Sequence, residues 1–157
     1  MADSVEERVI QDVVTTVGTV TSGNGYDFDI AVVQRQQGDV DYLSDYPGAI
    51  VVHDGTSTAS RYTGVTINEL SLAIVVGLER PGAGWTSSMT NLLSQISQAL
   101  MVDEGRGTYA TKSNARRTDV GQRFVGDHEI DGRGVVRGEL LVVVKYGFEN
   151  SDETSSF

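Results

Sequence analysis

The chain has no cysteine, only two prolines in 157 residues, and no long apolar run. Without cysteine, disulfides, thiolate metal sites and cysteine nucleophiles are all excluded. The longest uninterrupted apolar stretch, residues 140–144, falls far short of the roughly 20 residues that a membrane-spanning helix needs. The opening residues, Met-Ala-Asp-Ser-Val-Glu-Glu, lack a basic segment followed by an apolar one, so no signal peptide is expected and the chain is expected to work in the cytoplasm where it is made. Bases are scarce as well. Twelve Lys and Arg face 22 Asp and Glu, a net charge of −10. That balance disfavours binding driven by nucleic-acid phosphates.

The charge is unevenly spread. Residues 1–78 carry 11 acids and 3 bases, whereas residues 79–157 carry 11 acids and 9 bases. One segment, residues 106–123, is basic: Arg106, Lys112, Arg116, Arg117 and Arg123 stand against Asp119 alone. Three readings are open for it: a solvated loop, a contact with the acidic surface of a neighbouring copy, or a contact with nucleic acid. The second has a physical motive. An acidic front half and a basic segment are complementary head-to-tail, and such contacts make rings when they close.

The length predicts one domain over residues 1–150, with a frayed acidic tail at 151–157. A helix is expected over 4–17, where Ser4 and Glu7 have capping-box spacing and Val5, Val9, Ile10, Val13, Val14 and Val17 form one stripe. Tyr26, Phe28, Ile30 and Val32 alternate with other residues and predict a strand over 26–33. A polar loop is expected over 34–45, a short strand over 49–53 and an exposed loop over 54–64. Residues 65–78 read as a central strand, with Leu70, Leu72, Ile74, Val76 and Leu78 on one face. The stripe Trp85, Met89, Leu92, Leu93, Ile96, Ala99 and Leu100 predicts a helix from Trp85 to Val102. A short strand over 118–125 is expected to turn at Asp131 and Gly132 into the longest strand, 134–148. There Val136, Leu140, Val142, Val144, Tyr146 and Phe148 share one face, and Arg137, Glu139 and Lys145 the other. The fold class is therefore α+β: a small mixed or antiparallel sheet of about four main strands packed by two helices.

No catalytic motif survives inspection. Gly132, Gly134 and Gly138 have the wrong spacing for a dinucleotide loop and lead into a strand rather than a helix. Residues 81–84 precede a helix but lack the Lys-Ser or Lys-Thr of a phosphate loop. His53 and His128 would need to converge with a carboxylate to hold a metal, and nothing in their spacing demands it. Asp27 with Asp29, and Asp39 with Asp41, are read as solvated or contact-making pairs rather than acid/base partners. No serine lies in a nucleophile elbow. No cofactor and no enzymatic activity are expected.

The order of elements resembles that of the tail terminator (tail completion) proteins of long-tailed bacteriophages, over roughly residues 3–150. It is carried by the helix 4–17 and the strand 26–33, then by Pro47-Gly-Ala-Ile-Val-Val-His53 and the strand 68–78. The helix ending Leu100-Met-Val-Asp103 follows, and the polar excursion closes in a strand that ends Val142-Val-Val-Lys-Tyr146. The resemblance implies a homohexameric ring on the head-proximal end of the tail tube. Such a ring stops tube polymerisation, contacts the tail tube protein on one side and a neck or head-completion protein on the other, and lets genomic DNA pass without specific binding. It implies a virion protein assembled in the host cytoplasm, with no membrane partner. Arg106, Lys112, Arg116, Arg117, Arg123, Arg137, Glu139 and Lys145 are then candidate subunit-interface residues. Asp39, Asp41 and Asp45 are candidate lumen- or partner-facing residues. The alternatives are a head-completion or neck adaptor protein, and a small cytoplasmic enzyme using His53 and His128.

Overall fold

A computed structural model describes residues 4–35, 43–79, 84–102, 118–130 and 133–149, with backbone alone at 122–124, 127–130, 133 and 149. Helix α1 (Val5–Val17) is followed by a short 3-10 turn (Ser22–Asn24). Then come β1 (Val32–Arg35), β2 (Gly48–Tyr62), β3 (Val65–Glu79), helix α2 (Trp85–Val102), β4 (Thr118–Ile130) and β5 (Arg133–Glu149). Among the described residues the strands form one mixed sheet in the order β1-β2-β3-β5-β4. The β1–β2 pair is parallel and the rest are antiparallel. The α+β class expected from the sequence is therefore the fold.

Two periodicities build the core. In α1, Val5, Val9, Val13 and Val17 have no exposed surface and Ile10 has 4%. Valine is a poor helix former, so burial of this stripe, at about 1.5–3 kcal/mol per side chain, must stabilise the helix. Its start is fixed by Ser4, whose Oγ accepts the Glu7 N–H at 3.1 Å. In α2, Met89, Leu92, Leu93, Ile96 and Leu100 are wholly buried. Both stripes lie on one face of the sheet, against Leu70, Leu72, Ile74 and Val76 of β3 and Val136, Leu140, Val142 and Val144 of β5. A smaller cluster of Leu43, Ile50, Val75 and Val135 lies on the opposite face.

β3 is central, as its two apolar faces predict. It pairs from Val65 to Glu79 with β5, and from Val65 to Gly77 with β2. The alternation read in β5 is also found, with Val136, Leu140, Val142, Val144, Tyr146 and Phe148 all buried.

Three expectations need correction. Residues 26–31 are not a strand; pairing begins at Val32. Ile30 is buried and Tyr26 and Phe28 are half-buried, but their backbone joins no ladder. Ile30 N–H donates to Val20 O and Ala31 N–H to Pro47 O, while Gln95 holds Asp27 from α2. The alternation belongs to a segment whose apolar side chains pack into the main core without joining the sheet. Second, residues 54–62 are not a loop but the continuation of β2, paired with β3 up to Tyr62–Val65, with register shifts at His53/Gly55 and Thr58/Ser60. Gly64, at φ +82°, closes that hairpin in the left-handed conformation glycine adopts without strain. Third, the short strand over 118–125 is the 13-residue β4. The β4–β5 hairpin is present, with Ile130 paired to Arg133. Residues 36–42, 103–117 and the acidic tail lie outside the described residues.

Candidate interaction surface

The first turn of α1 reaches over the middle of β2. Glu7 and Arg35 form a two-pronged ion pair, with Arg35 Nη2 donating to Glu7 Oε2 at 3.1 Å and Nη1 to Oε1. The guanidinium hydrogen bond holds the Glu7 carboxyl below its ordinary value and raises Arg35. At the preceding residue, Thr56 Oγ1 donates to Glu6 Oε1, and His53 Nε2 lies 3.1 Å from Thr56 Oγ1 and 3.3 Å from Glu6 Oε1. These contacts fasten α1 to β2 where β1 has already ended.

Beside them opens a cleft of ≈ 90 Å³ lined by Ser4, Glu6, Asn68, Tyr146 and Phe148. The rings of Tyr146 and Phe148 stack at 6.3 Å. Asn68 Nδ2 donates to Tyr146 Oη at 3.4 Å, but Asn68 Oδ1 is buried without a partner among the described residues. Sequence reasoning missed this cleft. Its one legible signal was Asn68, a polar residue in phase with Leu70, Leu72, Ile74, Val76 and Leu78.

On the opposite face, Lys145 reaches Glu69 across the β3–β5 pair at 3.5 Å, and Arg137 pairs with Glu139 at 3.1 Å. Half-buried Leu141, Val143, Ser71 and Val52 lie between the two ion pairs. Arg137, Glu139 and Lys145 thus share the face assigned to them, and each has a partner within its own chain. Arg123 lies in β4 opposite Leu140, just past a register shift. Arg106, Lys112, Arg116 and Arg117 lie outside the described residues, as do Asp39 and Asp41. Asp45 is exposed, and its carbonyl oxygen crowds Gly48, where an added Cβ would come within 2.7 Å.

The structure does not bring the two histidines together. His53 lies on β2 opposite Leu72, and the backbone of His128 lies on β4 opposite Val135. β3 and β5 intervene, a separation of roughly 14 Å from strand spacing alone. Among the described residues no group of three or more His, Asp or Glu is placed to hold a metal. Asp29 accepts from Ser22 N at 2.7 Å and Ser22 Oγ at 3.0 Å, and Asp27 accepts from Gln95 at 2.8 Å. Each thus has a partner within the chain, Asp29 in the 3-10 turn and Asp27 on α2.

Along β2, main-chain pairing is lopsided. β1 pairs with it only from Gly48 to Val51. From Val52 to Tyr62 the outer side of β2 carries no strand among the described residues. This stretch is mostly exposed, and between Asp54 and Arg61 it holds no charged side chain. No family model matches the chain, and no curated protein matches it.

Proposed function

We propose that the protein is a structural virion component, a tail terminator that closes the head-proximal end of a phage tail tube as a ring. The observation that carries this reading is the outer side of β2 beyond Val51, which bears no strand among the described residues. A strand edge of that kind is a template for another chain. Contacts of that kind, repeated head-to-tail between copies, close into a ring when the rotation per step allows it. The order of elements resembles that of tail terminators and is in keeping with this reading, with strand pairing beginning at Val32 rather than at Tyr26. The acid excess suits a conduit that DNA must traverse without being held. On this reading the ring ends tube growth, meets the tail tube protein and offers the neck its joining surface.

Tails assembled without the protein provide the test. Negative-stain images should show tubes of irregular length and heads left unjoined. Tails of uniform normal length, joined to heads, would overturn the reading. Labelled protein found at the collar and away from the tube protein would assign it instead to the neck.

A further inference from the structure

The turn after α1 holds the chain's one Asn-Gly pair, Asn24-Gly25, and both residues are exposed. In such a pair the glycine backbone nitrogen can attack the asparagine side-chain amide, because glycine carries no Cβ to block the approach. Nothing lies within 4 Å of the place a Gly25 Cβ would take, and Gly25 sits at φ +89°. The folded turn keeps the two reacting groups apart. Gly25 N–H donates to Ser22 O at 3.1 Å, and Asn24 Nδ2 donates to Thr19 O at 2.8 Å. Nucleophile and electrophile are thus each committed to a different carbonyl. The turn is itself held shut by Asn24 N–H and Tyr26 N–H, which both donate to Thr21 O, and by Asp29, whose Oδ1 accepts from Ser22 N and Ser22 Oγ.

We propose that Asn24 is a self-modification site and that the turn is the latch that holds it back. When the turn opens, the Gly25 nitrogen bonds to Asn24 Cγ, the Cγ–Nδ2 bond breaks, and Nδ2 leaves as ammonia with the proton of the Gly25 amide. Water then opens the cyclic imide at one of its two carbonyls, giving an aspartate or an isoaspartyl link at position 24. Either product keeps the latch from reclosing as before. The donor to Thr19 O is gone, a carboxylate takes its place, and a second negative charge joins the Asp29 carboxylate in the turn. An isoaspartyl link also lengthens the backbone by one carbon inside a turn whose geometry the Thr21 and Ser22 carbonyls fix. The turn leads from α1 to buried Ile30, whose N–H donates to Val20 O, so the change loosens the end of α1. The assignment is independent of the ring reading.

Peptide mapping of the full chain, incubated at mildly alkaline pH, tests this through the tryptic peptide 9–35, whose only asparagine is Asn24. The folded protein should convert slowly and the urea-unfolded chain fast. Asp29→Ala, at an exposed position, removes the acceptor that holds Ser22. It should speed conversion of the folded protein by roughly ten- to a hundredfold, the value of a lost hydrogen bond to a charged group. Should Asp29→Ala not fold, wild type in urea below its unfolding transition takes the same reading. Asn24→Gln should stop conversion. Asn24→Asp should lower the melting temperature, which an asparagine that merely faces solvent would leave unchanged. Equal rates in the folded and unfolded chain, or a folded rate untouched by Asp29→Ala, would overturn the latch. No conversion in the unfolded chain would overturn the site.

Discussion

Glu7 and Arg35 are joined through both carboxylate oxygens and both terminal guanidinium nitrogens, across the gap between α1 and β1. Both side chains are about a third exposed, 33% and 32%, so solvent screens the pair and its contribution is about 1 kcal/mol. Because the folded carboxyl titrates below its ordinary 4.5, the contribution is complete above that pH and is lost as pH falls through the depressed folded value. Glu7→Gln should therefore lower stability at pH 7 and converge on wild type in acid. Urea denaturation at a series of pH values checks this; a constant difference down to the acid limit would contradict it.

Gly138 of β5 lies directly against Met89 and Leu93 of α2. A Cβ there would fall 2.6 Å from Met89 Sδ and 3.1 Å from each Leu93 Cδ. Gly138→Ala should cost about 1–3 kcal/mol by overpacking, and Gly138→Val more. Thermal unfolding of the two variants measures the difference, and an unshifted melting temperature for both would show that α2 yields freely.

Leu92 and Ile96 have no exposed surface. Leu92→Ala should cost about 2–5 kcal/mol as a cavity. Replacing either residue with Asp buries an unpaired charge and should abolish cooperative unfolding at neutral pH. Near-UV circular dichroism reads both effects.

Arg116 and Arg117 carry the charge that a neighbouring acidic surface would meet. Arg116→Glu with Arg117→Glu should block self-association while leaving the far-UV spectrum and monomer stability unchanged. Unaltered assembly would remove these two residues from the subunit contact.

The elements legible in the sequence were those whose periodicity and burial agree. The valine stripe of α1, the Leu/Ile stripe of α2 and the two faces of β3 and β5 each meet a partner in phase with the pattern. The distal half of β2 was hidden because Gly55, Thr56, Ser57, Thr58, Ala59 and Ser60 read as loop composition. Their strand conformation comes from pairing with β3, a tertiary cause that composition does not report. The segment 26–31 erred in the other direction: alternation recorded burial in the core, and burial alone does not make a ladder. The cleft was legible only as a single asparagine out of character with its stripe. The oxygens gathered around it come from α1, β3 and β5, which no local pattern connects.

The place of β3 also sets the order in which the protein can form during synthesis. Its pairing with β2 is a local hairpin and is available early. Its pairing with β5 joins Val65 to Glu149 and Glu79 to Val135, across much of the chain. Contacts so distant in sequence form slowly, and until they form one side of β3 stays unpaired, with its apolar side chains only partly covered. A nascent chain that has not yet released its last strand therefore carries a sticky half-sheet. Chains stopped before β5 should aggregate rather than persist as soluble fragments.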